Sequence, residues 1–180
     1  LSEWTCAFTN QYRGVPGPTA SRLDFDMCGI AGELRFDGQY ASAEACAKMA
    51  ATMSPRGPDA TGLFSQSRVA LAHQRLKIID LSERAQQPMV DSALGLSLVY
   101  NGAIYNYREL REELEGLGYS FFSTGDTEVI LKAYHAWGRE FVKRLAGMFA
   151  FAIHERDTGR VTLGRDRLGI KPLYYSEIPG

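Results

Sequence analysis

Gly147-Met148-Phe149-Ala150-Phe151-Ala152-Ile153 decides the fold, because Phe149, Phe151 and Ile153 alternate with Ala150 and Ala152 and make both faces of one extended segment apolar. Side chains alternate sides along a strand, and a strand apolar on both sides belongs inside a layered structure. Downstream, Asp157-Thr158-Gly159 is a turn that returns the chain along Val161 and Leu163 as a hairpin, and Leu173-Tyr174-Tyr175 supplies a last short strand. Upstream lie the helices that would cover such a sheet. Gly125-Asp126 opens a segment with Val129, Ile130, Ala133, Tyr134 and Trp137 at helical spacing. Asn106 and Glu109 have the form of a capping box, opening a helix with Tyr107, Leu110, Leu114 and Leu117 on one face.

Nearer the N-terminus, Leu94 to Tyr100 reads as a strand followed by the compact Asn101-Gly102. Gly62-Leu63-Phe64 and Val69-Ala70-Leu71-Ala72 read as two strands around a polar turn. Arg56-Gly57-Pro58-Asp59 breaks a helix that Ser42 caps and that carries Cys46, Met49, Ala50 and Met53 at helical spacing, so Cys46 is a core residue. Ile30, Ala31, Leu34 and Phe36 form a strand ending at Asp37-Gly38. Hairpins with covering helices predict an α+β fold with mainly antiparallel sheets. Residues 1–26 differ in character: Asn10 to Pro18 shows neither periodicity and carries turn formers, which reads as a disordered or non-native leader before a domain at 27–180.

A chain of 180 residues suits one domain with a substantial core. Lys plus Arg number 20 against 21 Asp plus Glu, which leaves no electrostatic footprint for nucleic acid or an anionic membrane. Cys6, Cys28 and Cys46 are odd in number and scattered, as in a reducing cytoplasm. His73, His135 and His154 have no metal-ligand spacing and read as structural, so no metal is expected. No apolar run reaches the roughly 18 residues needed to span a bilayer, and the first 26 residues lack the apolar stretch of a signal peptide.

Met27-Cys28-Gly29-Ile30 carries the most chemistry. Loss of Met27 would leave a cysteine with its own α-amino group, whose pKa of about 7.7–8.0 makes it a proton acceptor for a thiol near about 8.5. A lone cysteine among small apolar residues is more often core packing. Asn101-Gly102 could aim a side-chain amide and a backbone N–H at one oxyanion, or could simply be a hairpin turn. Arg75 could clamp a carboxylate and Asp126 an ammonium, or the two could be a surface ion-pair member and a helix N-cap.

The runs MCGIAGELRF, RGPDATG, LAHQRLKIIDLS, AQQPM, YNGAIYNYREL, TGDTEVIL, GMFAFAI and GRDRLGIKPLYY, in this order, resemble the class II glutamine amidotransferase domain of asparagine synthetase-type enzymes, an N-terminal-nucleophile hydrolase family. Within it, HQRLKIIDLSERAQQPM and Ala103 look most like the N-acetylglutaminylglutamine amidotransferase branch. The resemblance implies a four-layer αββα sandwich. It also implies that Cys28, once N-terminal, attacks the side-chain amide of L-glutamine with its α-amine as base. By the same likeness Asn101 and Gly102 form the oxyanion hole, Arg75 grips the glutamine carboxylate, Asp126 holds its ammonium, and Leu76, Ile78 and Ile79 line the pocket. Ala103 replaces the glutamate of many relatives, so one contact to that ammonium is missing. Arg56 and RDRLGIKP are expected to have structural or domain-contact roles only. The partner implied is a C-terminal synthetase domain, the one place where ATP and Mg are expected, with no cofactor in this domain and room for a homodimer. With the leader attached, the amine is acylated and the chain is expected to be inactive.

Overall fold

The computed structural model describes residues 4–9, 28–77 and 79–179, without the side chains of 4–6, 178 and 179. In β7 (Gly147–Glu155) the alternation separates the layers: Phe149, Phe151 and Ile153 pack against α2 (Tyr107–Gly116) and α3 (Asp126–Trp137), and Ala150 and Ala152 turn the other way. There they meet Val99 of β6 (Leu96–Ile104) and, from a second sheet, Ile30 of β2 (Gly29–Arg35) and Val69 and Leu71 of β4 (Val69–Arg75). Bulky groups fill the sheet–helix layer, and methyl-sized ones let the two sheets approach. On the far side, Cys46, Ala50 and Met53 of α1 (Ala43–Ala51) and its C-terminal turn pack on Ala31, Ala70 and Ala72. The predicted α+β fold with two antiparallel sheets is thus present as helix, sheet, sheet, helix.

One sheet runs β3-β4-β2-β1-β9, with β3 at Ala60–Gln66, β1 at Trp4–Thr9 and β9 at Tyr174–Pro179. The other runs β5-β6-β7-β8, with β5 at Met89–Asp91 and β8 at Val161–Arg165. Every pairing is antiparallel. β5 pairs with β6 only from Leu96 to Leu98, so among the described residues one edge of β6 beyond Leu98 has no strand neighbour.

In the leader, expected to be disordered or non-native, Trp4–Thr9 depart from the disordered reading, for they pair with both β2 and β9, and Phe8 is 2 % exposed between the sheets. Gly32 makes the slot, since a Cβ there would stand 2.3 Å from the Phe8 ring. Trp4, Cys6 and Phe8 alternate with Thr5, Ala7 and Thr9, and pairing on both edges makes that alternation a strand. The rest of that leader, residues 1–3 and 10–26, lies outside the described residues. Asn106 forms no capping box: its Nδ2 donates to Arg144 O (2.9 Å) and its Oδ1 accepts from Ala146 N (2.9 Å), tying down the approach to β7. Leu117 falls beyond the end of α2 and is exposed. Ser42 does cap α1, its Oγ accepting from Ala45 N at 3.0 Å.

Candidate active site

Antiparallel pairing of β2 with β4 sets Gly29 opposite Gln74 and so brings Cys28 to the residues that follow Arg75. Cys28 Sγ accepts from Leu76 N at 3.3 Å and reaches Leu76 O at 3.5 Å. Burial pushes the thiol pKa up, and the Leu76 N–H with the Arg75 and Lys171 cations pulls against it.

Arg75 ends β4 and is buried, which removes the surface ion-pair alternative. Its Nη1 donates to Ser82 O (3.0 Å) and its Nη2 to Asp80 O (2.5 Å). Among the described residues no carboxylate forms an ion pair with it. The Asp80 carboxylate is engaged elsewhere, by Ser82 N (2.8 Å) and by Thr124 N and Oγ1 (both 3.0 Å). Burial opposes its ionisation, but hydrogen bonds from Ser82 and Thr124 outweigh that and hold the carboxyl well below the usual range. A buried guanidinium satisfied only by carbonyl oxygens keeps an unmatched charge and is suited to an incoming anion.

The open edge of β6 faces the same space. Tyr100 N donates to Gln87 Oε1 (2.6 Å) and Ile104 N to Asp126 Oδ2 (3.0 Å). N–H groups two residues apart in a strand share an edge, so the Gly102 N–H between them points the same way. Asn101 is 2 % exposed, and among the described residues its Nδ2 has no hydrogen-bond partner. Asn101-Gly102 is therefore strand, and the hairpin-turn alternative falls. Glycine is required by the neighbouring strand: a Cβ on Gly102 would stand 2.2 Å from Met148 O and 2.8 Å from Phe149 Cα.

Gly125 occupies the N-cap of α3, which leaves Asp126 in the first turn, where the helix dipole favours a carboxylate. Its Oδ2 also accepts from the Tyr100 hydroxyl (2.8 Å). Burial raises the Asp126 pKa, opposed by the Ile104 N–H and the Tyr100 hydroxyl.

Cys28, Arg75, Leu76, Ile79, Asn101, Gly102, Ala103 and Asp126 all line one cavity of about 140 Å³. Ile78 lies outside the described residues. Sequence reasoning missed Tyr100, Gln87 and Lys171, which line the same cavity. Each stands inside a quoted motif, but no local spacing marks it. Lys171 of RDRLGIKP, a stretch expected to have structural or domain-contact roles only, is buried in the cavity wall.

The fold has a solved counterpart in glutamine phosphoribosylpyrophosphate amidotransferase from Bacillus subtilis, with a TM-score of 0.51 and 17 % identity over 96 % of this chain and 41 % of that one. Residues 27–180 match the family model described as a glutamine amidotransferase domain. Asparagine synthetase [glutamine-hydrolyzing] 3 from B. subtilis is 38 % identical over 154 residues, covering 84 % of this chain and 25 % of that protein. Asparagine synthetase B [glutamine-hydrolyzing] from Escherichia coli is 39 % identical over 150 residues, covering 82 % of this chain and 26 % of that protein. The chain belongs to the class II glutamine amidotransferase domains of the asparagine synthetase family. It spans about a quarter of the length of these relatives.

Proposed function

We propose that this domain hydrolyses L-glutamine to glutamate and ammonia. Cys28 Sγ attacks the side-chain amide carbon, and the oxyanion that forms is held by Asn101 Nδ2 and the Gly102 N–H. The freed α-amine of Cys28 takes the thiol proton and passes it to the leaving nitrogen, the C–N bond breaks, and ammonia departs. Water then attacks the thioester, releasing glutamate and restoring the thiol. Arg75 holds the α-carboxylate and Asp126 the α-ammonium. The observation that carries this reading is the Nδ2 of Asn101, buried and without a partner among the described residues, on the same cavity as the Cys28 sulfur. A preorganised donor of this kind contributes about 10²–10³ in rate.

The ammonia would serve an ATP-dependent, amide-forming synthetase domain that also holds the Mg. The acceptor proposed is the one leading to N-acetylglutaminylglutamine amide, on the likeness of residues 73–89 and Ala103; asparagine synthesis is the alternative. Because Met27 acylates Cys28 in this chain, activity is proposed to begin when that bond is cut.

The test must free the amine without discarding β1. A protease site ending immediately before Cys28 allows the chain to be cut with the leader still paired. Glutamate release is expected from the cut chain and not from the uncut one. Binding of glutamine by both without release would replace the enzyme by a silent glutamine-binding domain. In the cut chain, Tyr100→Phe removes one hydrogen bond to Asp126 and is expected to raise KM for glutamine by about 10- to 150-fold with kcat nearly kept, the effect of about 1.5–3 kcal/mol for a bond to a charged group.

A further inference from the structure

Lys171 is 5 % exposed on the wall of the cavity that holds Cys28 and has no part in the reaction described above. Its turn is pinned by Asp166, whose Oδ1 accepts from Ile170 N (2.9 Å) and whose Oδ2 accepts from Lys171 N (3.0 Å) and Phe149 N (3.2 Å). Asp166 N donates in return to Phe149 O (2.8 Å), and Phe149 is the register partner of Gly102. The lysine is thus fastened to the strand beside the one that carries Asn101 and Gly102.

Arg75 from β4 and Lys171 from this turn bring two cations to the cavity that Cys28 lines, with Tyr100 from β6 beside them, and both cations favour the charged sulfur. Lys171 is itself faced by Arg56, which follows α1, by Cys28 and by Asp166. Asp126 lines the cavity with its carboxylate bonded to Tyr100 and Ile104. Once a ligand carboxylate engages Arg75, the charge of that guanidinium is matched, and Lys171 remains as the cation toward the sulfur.

We propose that Lys171 is a positioning residue for Cys28, its buried ammonium holding negative charge on Sγ. The inference rests on Cys28 being the nucleophile. Burial lowers the Lys171 pKa, with Arg56 adding to the effect, while Cys28 and Asp166 hold it up, as expected of an ammonium that gains from charge on the sulfur.

The test is the pH dependence of Cys28 alkylation by iodoacetamide in the uncut 180-residue chain, where no α-amine titrates beside the sulfur. Peptide mass mapping follows Cys28 apart from Cys6 and Cys46. An opposite charge at close range moves a pKa by roughly 1–3 units, so Lys171→Met is expected to move the midpoint up by about one pH unit and slow alkylation about tenfold below it. Lys171→Arg should keep the original profile. Lys171→Gln serves if the Met variant melts early by circular dichroism. An unchanged midpoint in a folded neutral variant overturns the inference. Failure of the cut chain to release glutamate overturns the glutaminase reading instead, because alkylation needs no turnover.

Discussion

Cys28→Ala in the chain cut before residue 28 is expected to lower glutamate release from L-glutamine by about 10⁴-fold or more, with glutamine binding kept. Removing a nucleophile that works as a unit with its base costs about as much as removing both, while donors and binding groups leave a residual rate above that in water. Here those donors, Asn101 Nδ2 and the Gly102 N–H, belong to β6, and the carboxylate clamp belongs to β4, so neither depends on the sulfur for its position. Calorimetry of glutamine binding beside a glutamate assay separates the outcomes. A variant that keeps even a tenth of the rate rejects Cys28 as nucleophile. The variant also loses the bonds between the sulfur and the Leu76 backbone.

Arg75→Met is expected to reduce kcat/KM for glutamine about 100-fold, mostly through KM. Losing one member of a buried, hydrogen-bonded charge pair costs about 2–5 kcal/mol, and a carboxylate in this cavity would form such a pair with Arg75. The change in thermal stability should be small, since two terms oppose each other. The carbonyls of Asp80 and Ser82 lose their donor, at about 1–3 kcal/mol each if left dry, and the unmatched buried charge disappears. Arg75→Lys should not rescue binding, because an ammonium is a point charge and cannot hold both carbonyls and a ligand carboxylate in one plane. If KM stays within threefold of the parent, another cation holds the ligand, and Lys171 is then the residue to replace.

Features that depend on near neighbours in the chain were legible before the structure. Phe149 to Ile153 declared a strand with two apolar faces, Ser42 declared a helix start, and Cys46 a core position, since each signal needs only the period of one element. Legibility failed where a group had local and distant partners to choose between. Asn106 had the spacing of a capping box, yet its amide binds Arg144 and Ala146, which lie far along the chain. Trp4, Cys6 and Phe8 alternate with Thr5, Ala7 and Thr9, but the turn formers that follow drew the whole leader into one reading, and the edges of β2 and β9 on either side fix the strand. Asn101-Gly102 carried a turn signature, and the close approach of Met148 and Phe149 shows that the glycine serves packing inside a strand.

The order of motifs and the residue types in them determined which side chains could do chemistry: a cysteine behind a methionine, an arginine, an asparagine with a glycine, an aspartate. Only the tertiary structure decided that they meet. The β2–β4 register sets Cys28 beside Leu76, and the short reach of β5 leaves an edge of β6 open to Gln87 and Asp126. Burial then takes Arg75 and Asn101 out of water and leaves, among the described residues, no carboxylate for the one and no hydrogen-bond partner for the Nδ2 of the other, a condition set by the packing of two sheets and invisible to any periodicity along the chain.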